Sequence, residues 1–277
     1  MIIFDNHVHL RRDGFFLDAV KDFIKAGGTH FVLCQYPMPD FVIRDKSYNF
    51  CYSETLKMAE EIRSKLKVGV FVTVGPYPVD YLKLNEEFGR ETAVEIMKKG
   101  MDEAARLCED YKCIGIGEIG RPHFPVDKEV FDDSNEILLY GMKKAKDTGV
   151  PVVLHTESTT PESCKEFMKM GKKTGLSADK IVKHYAPPLI LKSENYGLMP
   201  SVLASEKNIK TAISKGTRFM METDYIDDPK RPGAVLGPKT VPRRTLDLLQ
   251  KGILNDKKVF EIHKRNPEKT YRINLDG

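Results

Sequence analysis

The chain has 277 residues, 41% of them apolar and 30% charged, with a formal net charge of +4. That length and composition allow one large buried core and exclude a disordered or low-complexity chain. The charge is too slight to mark a nucleic-acid-binding surface by itself, and no apolar run approaches the ~20 residues needed to cross a membrane.

The N-terminus is apolar for only four residues before Asp5, so it does not read as a signal peptide. Cys34, Cys51, Cys108, Cys113 and Cys164 form no Cys-x-x-Cys pair. In a chain without an export signal they read as reduced packing thiols, and the expected location is the cytoplasm. Lysine outnumbers arginine 31 to 13 and glutamine occurs twice, a bias that leans towards a heat-adapted organism.

Strand-like and helix-like runs alternate from end to end. Residues 2–7 predict a first strand, followed by a helix near 17–26 that stops at Gly27-Gly28. Thr29–Cys34 is the second strand, and a helix over 53–66 takes Ser53 as its N-cap. Val68–Val74 is the third strand. In the helix of 91–109 the spacing of Val94, Met97, Met101, Ala104 and Cys108 marks one buried stripe. The fourth strand, Cys113–Glu118, runs into Ile119-Gly120-Arg121-Pro122-His123. A helix near 133–147 ends at Gly149, Pro151–His155 is the fifth strand, and a helix fills 161–174 before Gly175. Lys180–His184 is the sixth strand. The seventh is expected near Leu198–Leu203, irregular at Pro200, with a helix near 206–215 after it. Thr217–Asp224 is the eighth strand, and helices near 242–251 and 256–265 complete the chain, closing at Asn266-Pro267.

Eight such units at about 35 residues each predict a single (β/α)₈ TIM barrel over residues 1–277. The strands lack polar alternation, as parallel strands buried on both faces do. An open doubly wound sheet is the competing architecture. It is disfavoured because candidate ligands end the first and the eighth strands, which only closure makes neighbours.

Those candidates are His7, His9, Glu118, His155, His184 and Asp224, each at the C-terminal end of a strand-like run, where barrel active sites lie. The two-residue period of a strand puts His7 and His9 on one side. Imidazoles and carboxylates of this kind suit divalent zinc, manganese or iron, and a carboxylate bridge also accepts magnesium. His30 and His263 read as structural. Glu222 shares the side of Asp224 and is either a support for the site or an ordinary interior carboxylate. Arg121 and His123, on the loop after Glu118, are expected to grip an anionic substrate.

The set His7-x-His9, Glu118 in GEIG, His155 after PVVL, His184 in VKH and Asp224 in ETD resembles the TatD family of metal-dependent hydrolases, of the amidohydrolase-like superfamily. Asn266-Pro267 echoes the family's C-terminal helix, and Val241-Pro242 the stretch after its last ligand. The chain departs from the family pattern at Arg121-Pro122-His123 and Thr156-Glu157-Ser158, so it resembles a divergent, archaeal-type branch. The resemblance implies two divalent ions, zinc, manganese or magnesium. His7, His9 and Asp224 would hold one, and His155 and His184 the other, with Glu118 bridging. It also implies Asp224 as general base and a DNase-like substrate, a small molecule or nucleic acid with a hydrolysable phosphate ester. The same activated water would serve an amide, lactone or ester equally well. A non-catalytic binding barrel is the reading from another class, and it is disfavoured because no ligand is missing.

Overall fold

The apolar runs form one parallel sheet curled into an α/β TIM barrel, seen in a computed structural model that describes residues 1–276. β1 (Phe4–His9) leads to α1 (Leu17–Lys25), β2 (His30–Cys34), α2 (Pro39–Asp45) and α3 (Asn49–Lys65). β3 (Gly69–Val74), α4 (Asp80–Phe88), α5 (Arg90–Glu109), β4 (Gly115–Gly120) and α6 (Lys128–Thr148) follow. The second half runs β5 (Val152–His155), α7 (Pro161–Thr174), β6 (Ile181–Ala186), α8 (Lys192–Asn195), β7 (Met199–Leu203) and α9 (Glu206–Lys215). β8 (Met220–Glu222) and β9 (Tyr225–Ile226) come next. The chain ends with α10 (Thr240–Gln250), α11 (Asp256–Phe260), a π-helical turn over Glu261–Arg265 and α12 (Asn266–Tyr271).

The strands run β8-β7-β6-β5-β4-β3-β2-β1-β9, every pair parallel. β8 and β9 are two pieces of the eighth strand, which is shorter than the expected Thr217–Asp224. The break falls at Thr223-Asp224, where Asp224 takes a left-handed φ of 49°. β9 then resumes beside Val8 and His9 of β1. The ring is tied shut by Asp5, whose carboxylate accepts from the Thr223 amide (3.0 Å) and hydroxyl (2.8 Å). Closure therefore sets Asp224 beside the ends of β1.

Two glycines fix the approach of β4 to β5 on either side of Glu118. A Cβ on Gly117 would lie 2.5 Å from that of Val153, and one on Gly120 only 2.1 Å from the His155 carbonyl oxygen. Gly120 also sits at φ 144°, a conformation other residues rarely adopt. The main apolar core lies between the strands and the helices α1–α7, with a second one under α9–α11. Tyr271 packs on Val153, Val182, Met199 and Met220, while Leu275 packs on Phe4, Val32 and Cys34. The chain end thus closes the barrel over the strand starts and leaves the C-terminal mouth for the site. Burying such side chains contributes roughly 1.5–3 kcal/mol each.

Helix boundaries differ from expectation at three places. α3 begins at Asn49 rather than 53, and Ser53 lies inside it, donating to the Phe50 carbonyl instead of capping. α6 starts at Lys128 because Asp127 is its cap, accepting from the Val130 amide at 2.9 Å. The last helix does not close at Asn266-Pro267. The π turn carries it into α12, where Pro267 occupies the first turn and needs no donor. Asn266 instead donates to the carbonyls of Thr217 (2.6 Å) and Phe219 (2.8 Å), anchoring α12 beneath β8. All five cysteines are buried and free. No helix among the described residues is long and apolar enough to cross a membrane.

Candidate metal centre

The six strand-end residues meet at the C-terminal mouth. Nε2 of His7 and Nε2 of His9 face each other at 3.1 Å. Oδ1 of Asp224 is 3.8 Å from the first and 3.7 Å from the second. Opposite them, Nδ1 of His155 and Nε2 of His184 are 3.0 Å apart, and Oε1 of Glu118 lies 2.9 Å from each. Oε2 of Glu118 is 3.2 Å from His9, so one carboxylate spans both groups. Two compact triads, His7–His9–Asp224 and His7–Glu118–His184, could each hold an ion. The second includes His7 where His155 was expected, although His155 remains in hydrogen-bond range of both Glu118 and His184.

The donor set fits a cation on chemical grounds. His9 Nδ1 donates to the Cys34 carbonyl (3.2 Å), which leaves Nε2 as a lone pair. That lone pair points at another ring nitrogen and at a carboxylate. Likewise His184 Nδ1 lies 3.4 Å from Oε1 of Glu222, which leaves its Nε2 to face Glu118. Acceptors aimed at acceptors in a buried site require positive charge between them. Nδ1 of His7, buried without a partner, adds an orphaned atom.

The electrostatics point the same way. Burial would raise the Glu118 carboxyl, but His184, His7 and His155 outweigh it and hold it well below the usual range. Burial would lower His184, yet Glu118 and Glu222 push it up to about 10. His155 falls to about 4, chiefly through burial, with the neighbouring His184 adding to the fall. Asp224 is raised because burial exceeds the pull of His184, His7 and His9. A basic carboxylate beside a cation-seeking pocket is the arrangement that water activation needs.

Around the centre, Glu222 is fully buried, accepting from the Tyr185 amide (2.5 Å) while it orients His184. This is the carboxylate–histidine support that metal-ligating imidazoles use. Sequence reasoning missed Tyr77, whose hydroxyl is 3.3 Å from His155 Nε2. Its signal was its place just after the third strand, where the other site residues also fall. His123 is exposed, and its Nδ1 lies 2.9 Å from the same His155 nitrogen.

Arg121, expected to grip an anionic substrate, is instead committed to protein partners. It is 2% exposed and bound to Asn135 (2.7 Å), Glu157 (3.0 Å) and Glu166, and it is stacked between Phe131 and Phe167. Its donors are spent on bracing the loop after β5 against α7. A cavity of 540 Å³ opens beside the cluster, lined in part by Asp224, His155, His184 and His123.

Residues 4–272 match the family model described as TatD related DNase. An uncharacterised protein of Methanocaldococcus jannaschii is 40% identical over 275 residues, 98% of this chain and 96% of its own. Among solved structures, a TatD homologue of Escherichia coli K12 superposes with a TM-score of 0.62 at 16% identity, covering 98% of each chain. A phosphotriesterase homology protein of Escherichia coli, complexed with phosphate in its active site, gives 0.65 at 14% identity over 97% of this chain and 98% of that one. The family match spans every residue of the cluster just described, and the chain belongs to the TatD-related family of metal-dependent hydrolases.

Proposed function

We propose that the protein hydrolyses phosphodiester bonds at a two-ion centre held by His7, His9, Glu118, His155, His184 and Asp224. The observation that carries this reading is the placement of Glu118, with one oxygen 2.9 Å from His155 and His184 and the other 3.2 Å from His9. His7, His9 and Asp224 would hold one divalent ion, His155 and His184 the other, with Glu118 between. When bound, zinc, manganese or magnesium ions supply Lewis-acid polarisation and lower the pKa of a water by several units.

The chain's own residues do the remainder. Asp224, raised and facing the cavity, takes the proton of the attacking water at its carboxylate and returns it to the leaving oxygen. The Cys34 carbonyl fixes the tautomer of His9, and the Glu222 carboxylate, 3.4 Å from His184 Nδ1, holds that imidazole by charge. Tyr77 and His123, both beside His155, stand where substrate oxygens enter. The substrate is a small molecule or nucleic acid with a hydrolysable phosphate ester, acted on in the cytoplasm.

Purified protein should contain up to two divalent ions per chain by elemental analysis. Loaded with zinc, manganese or magnesium, it should hydrolyse bis(4-nitrophenyl) phosphate or short DNA and RNA faster than matched carboxylic esters and lactones. Turnover of the esters alone would move the reading to carbonyl chemistry. Absence of bound metal together with no turnover on any panel would sink it.

A further inference from the structure

The mouth of the barrel contains a cation that the hydrolytic cluster does not use. Lys183 lies one residue before His184 on β6 and is 3% exposed. Its ammonium donates to the His184 carbonyl at 2.6 Å and makes no ion pair among the described residues. The nearby acids make their contacts elsewhere: Glu157 is held by Arg121 at 3.0 Å, and Oε1 of Glu222 by the Tyr185 amide, while Oε2 of Glu222 is buried without a hydrogen bond and none reaches it from Lys183. A buried ammonium with two donors left over is costly unless an anion completes it.

The surroundings supply neutral donors to go with it. Lys183 lines the 540 Å³ cavity together with Ser158, Thr159 and Asn208. The Thr159 hydroxyl is buried and has no partner. An ammonium, hydroxyls and a side-chain amide converging on one cavity make a cradle for a carboxylate or phosphate group, whose oxygens accept charge-assisted hydrogen bonds. The pairing of Arg121 with Glu157 also gains a purpose: it draws that carboxylate into an ion pair of its own, and Lys183 is the one lysine or arginine lining this cavity among the described residues.

We infer that Lys183, with Thr159, Ser158 and Asn208, forms an oxyanion subsite that binds a second anionic group of the substrate, apart from the bond being hydrolysed. The inference rests on the reading that this cavity takes a hydrolysable ester, since Asp224, His155 and His184 line the same space. It narrows the substrate to compounds that carry a free carboxylate or phosphate beside the scissile ester.

The test is calorimetric titration of the full-length, metal-loaded protein with sodium succinate and, separately, inorganic phosphate. Succinate reads the carboxylate source and phosphate the phosphoryl source, and at least one should bind saturably. Lys183→Met should weaken that binding by more than about tenfold, and Lys183→Arg should restore part of it. Thr159→Glu, a loop substitution that places a carboxylate in the cradle, should abolish it, and it decides the matter should Lys183→Met fail to fold. Binding unchanged in both Lys183→Met and Thr159→Glu overturns the subsite, as does no binding of either anion by wild type at tens of millimolar. Phosphate binding that survives Lys183→Met but vanishes on chelation belongs to the metal centre and also overturns it. Turnover of bis(4-nitrophenyl) phosphate, measured on the same samples, reports on the hydrolase reading independently. Lost turnover with intact anion binding would sink that reading and leave the subsite standing.

Discussion

Strand β1 is gripped by buried histidines at both of its ends, and the two environments are opposites. At its start, His263 from the π turn has both nitrogens satisfied. The Phe4 amide donates to Nδ1 at 3.2 Å, and Nε2 donates to the Thr245 hydroxyl at 2.9 Å, itself free to accept because it donates to the Val241 carbonyl. At the other end, His7 has Nδ1 orphaned and Nε2 aimed at the Nε2 of His9. Both residues are fully buried. Burial alone therefore does not mark a functional histidine; the difference lies in whether its lone pairs find donors. One imidazole completes a protein network, and the other awaits a cation.

The strongest way to break that contrast is at Glu118. Gln keeps the shape but bridges two cations poorly, so Glu118→Gln should lose metal first and reduce kcat by at least about 10³-fold, the scale of removing one member of a unit. The same substitution should leave the His263 end, and hence the melting of the metal-free protein, little changed. Elemental analysis beside turnover and a thermal melt checks this. Full metal occupancy in Glu118→Gln would show that the carboxylate does not hold the two groups together.

Next in size is Asp224. Asn retains one ligand oxygen and loses the proton acceptor, so Asp224→Asn should keep much of its metal, above all at His155 and His184, while kcat falls by about 10²-fold or more. Near wild-type turnover by a fully metallated variant would remove Asp224 as the base.

How much of this could be read from the chain alone follows from how local each signal was. The six cluster residues each end an apolar run, so strand period and barrel closure sufficed to gather them. Glu222 was legible as sharing the side of Asp224, though not as the partner of His184, which lies 38 residues earlier. Arg121 looks like a free loop cation in the sequence because its partners, Glu157 and Glu166, come from the next loop and helix, and only packing reveals those ion pairs. The start of α3 and the passage of the last helix through Pro267 were hidden for a related reason. Tertiary contacts override caps and helix breakers there, as the two bonds from Asn266 illustrate.

Glu222 sharpens the comparison at smaller amplitude. It supports His184 from behind as Thr245 supports His263, but through a charge 3.4 Å away rather than a hydrogen bond. Glu222→Gln should lower metal affinity by about 10–100-fold, with turnover recovered by excess metal. A deficit that no metal concentration rescues would place Glu222 in the chemistry itself.

The smallest effect should appear at the satisfied end, as stability and not activity. Burial, only partly offset by the Phe4 carbonyl, lowers His263 to about 4 from an ordinary value of 6.5. A histidine depressed in the folded state adds stability that is fully present above pH 6.5 and is lost as pH falls through 4. The shift corresponds to roughly 3 kcal/mol at most. Acidic groups titrate in part of the same window, so the informative quantity is a difference between two proteins. His263→Gln should cost about 1–3 kcal/mol at pH 7, because the Phe4 amide loses a well-placed acceptor in a fully buried position. Between pH 6.5 and 4 that cost should shrink, since the wild type alone must then protonate a buried ring. Chemical denaturation of both proteins across this range measures it, with metal content as the control that should match between the two proteins at each pH. A stability gap that stays constant from pH 7 to pH 4 would mean that His263 is not held neutral by its surroundings, and the two ends of β1 would no longer differ in the way their hydrogen bonds imply.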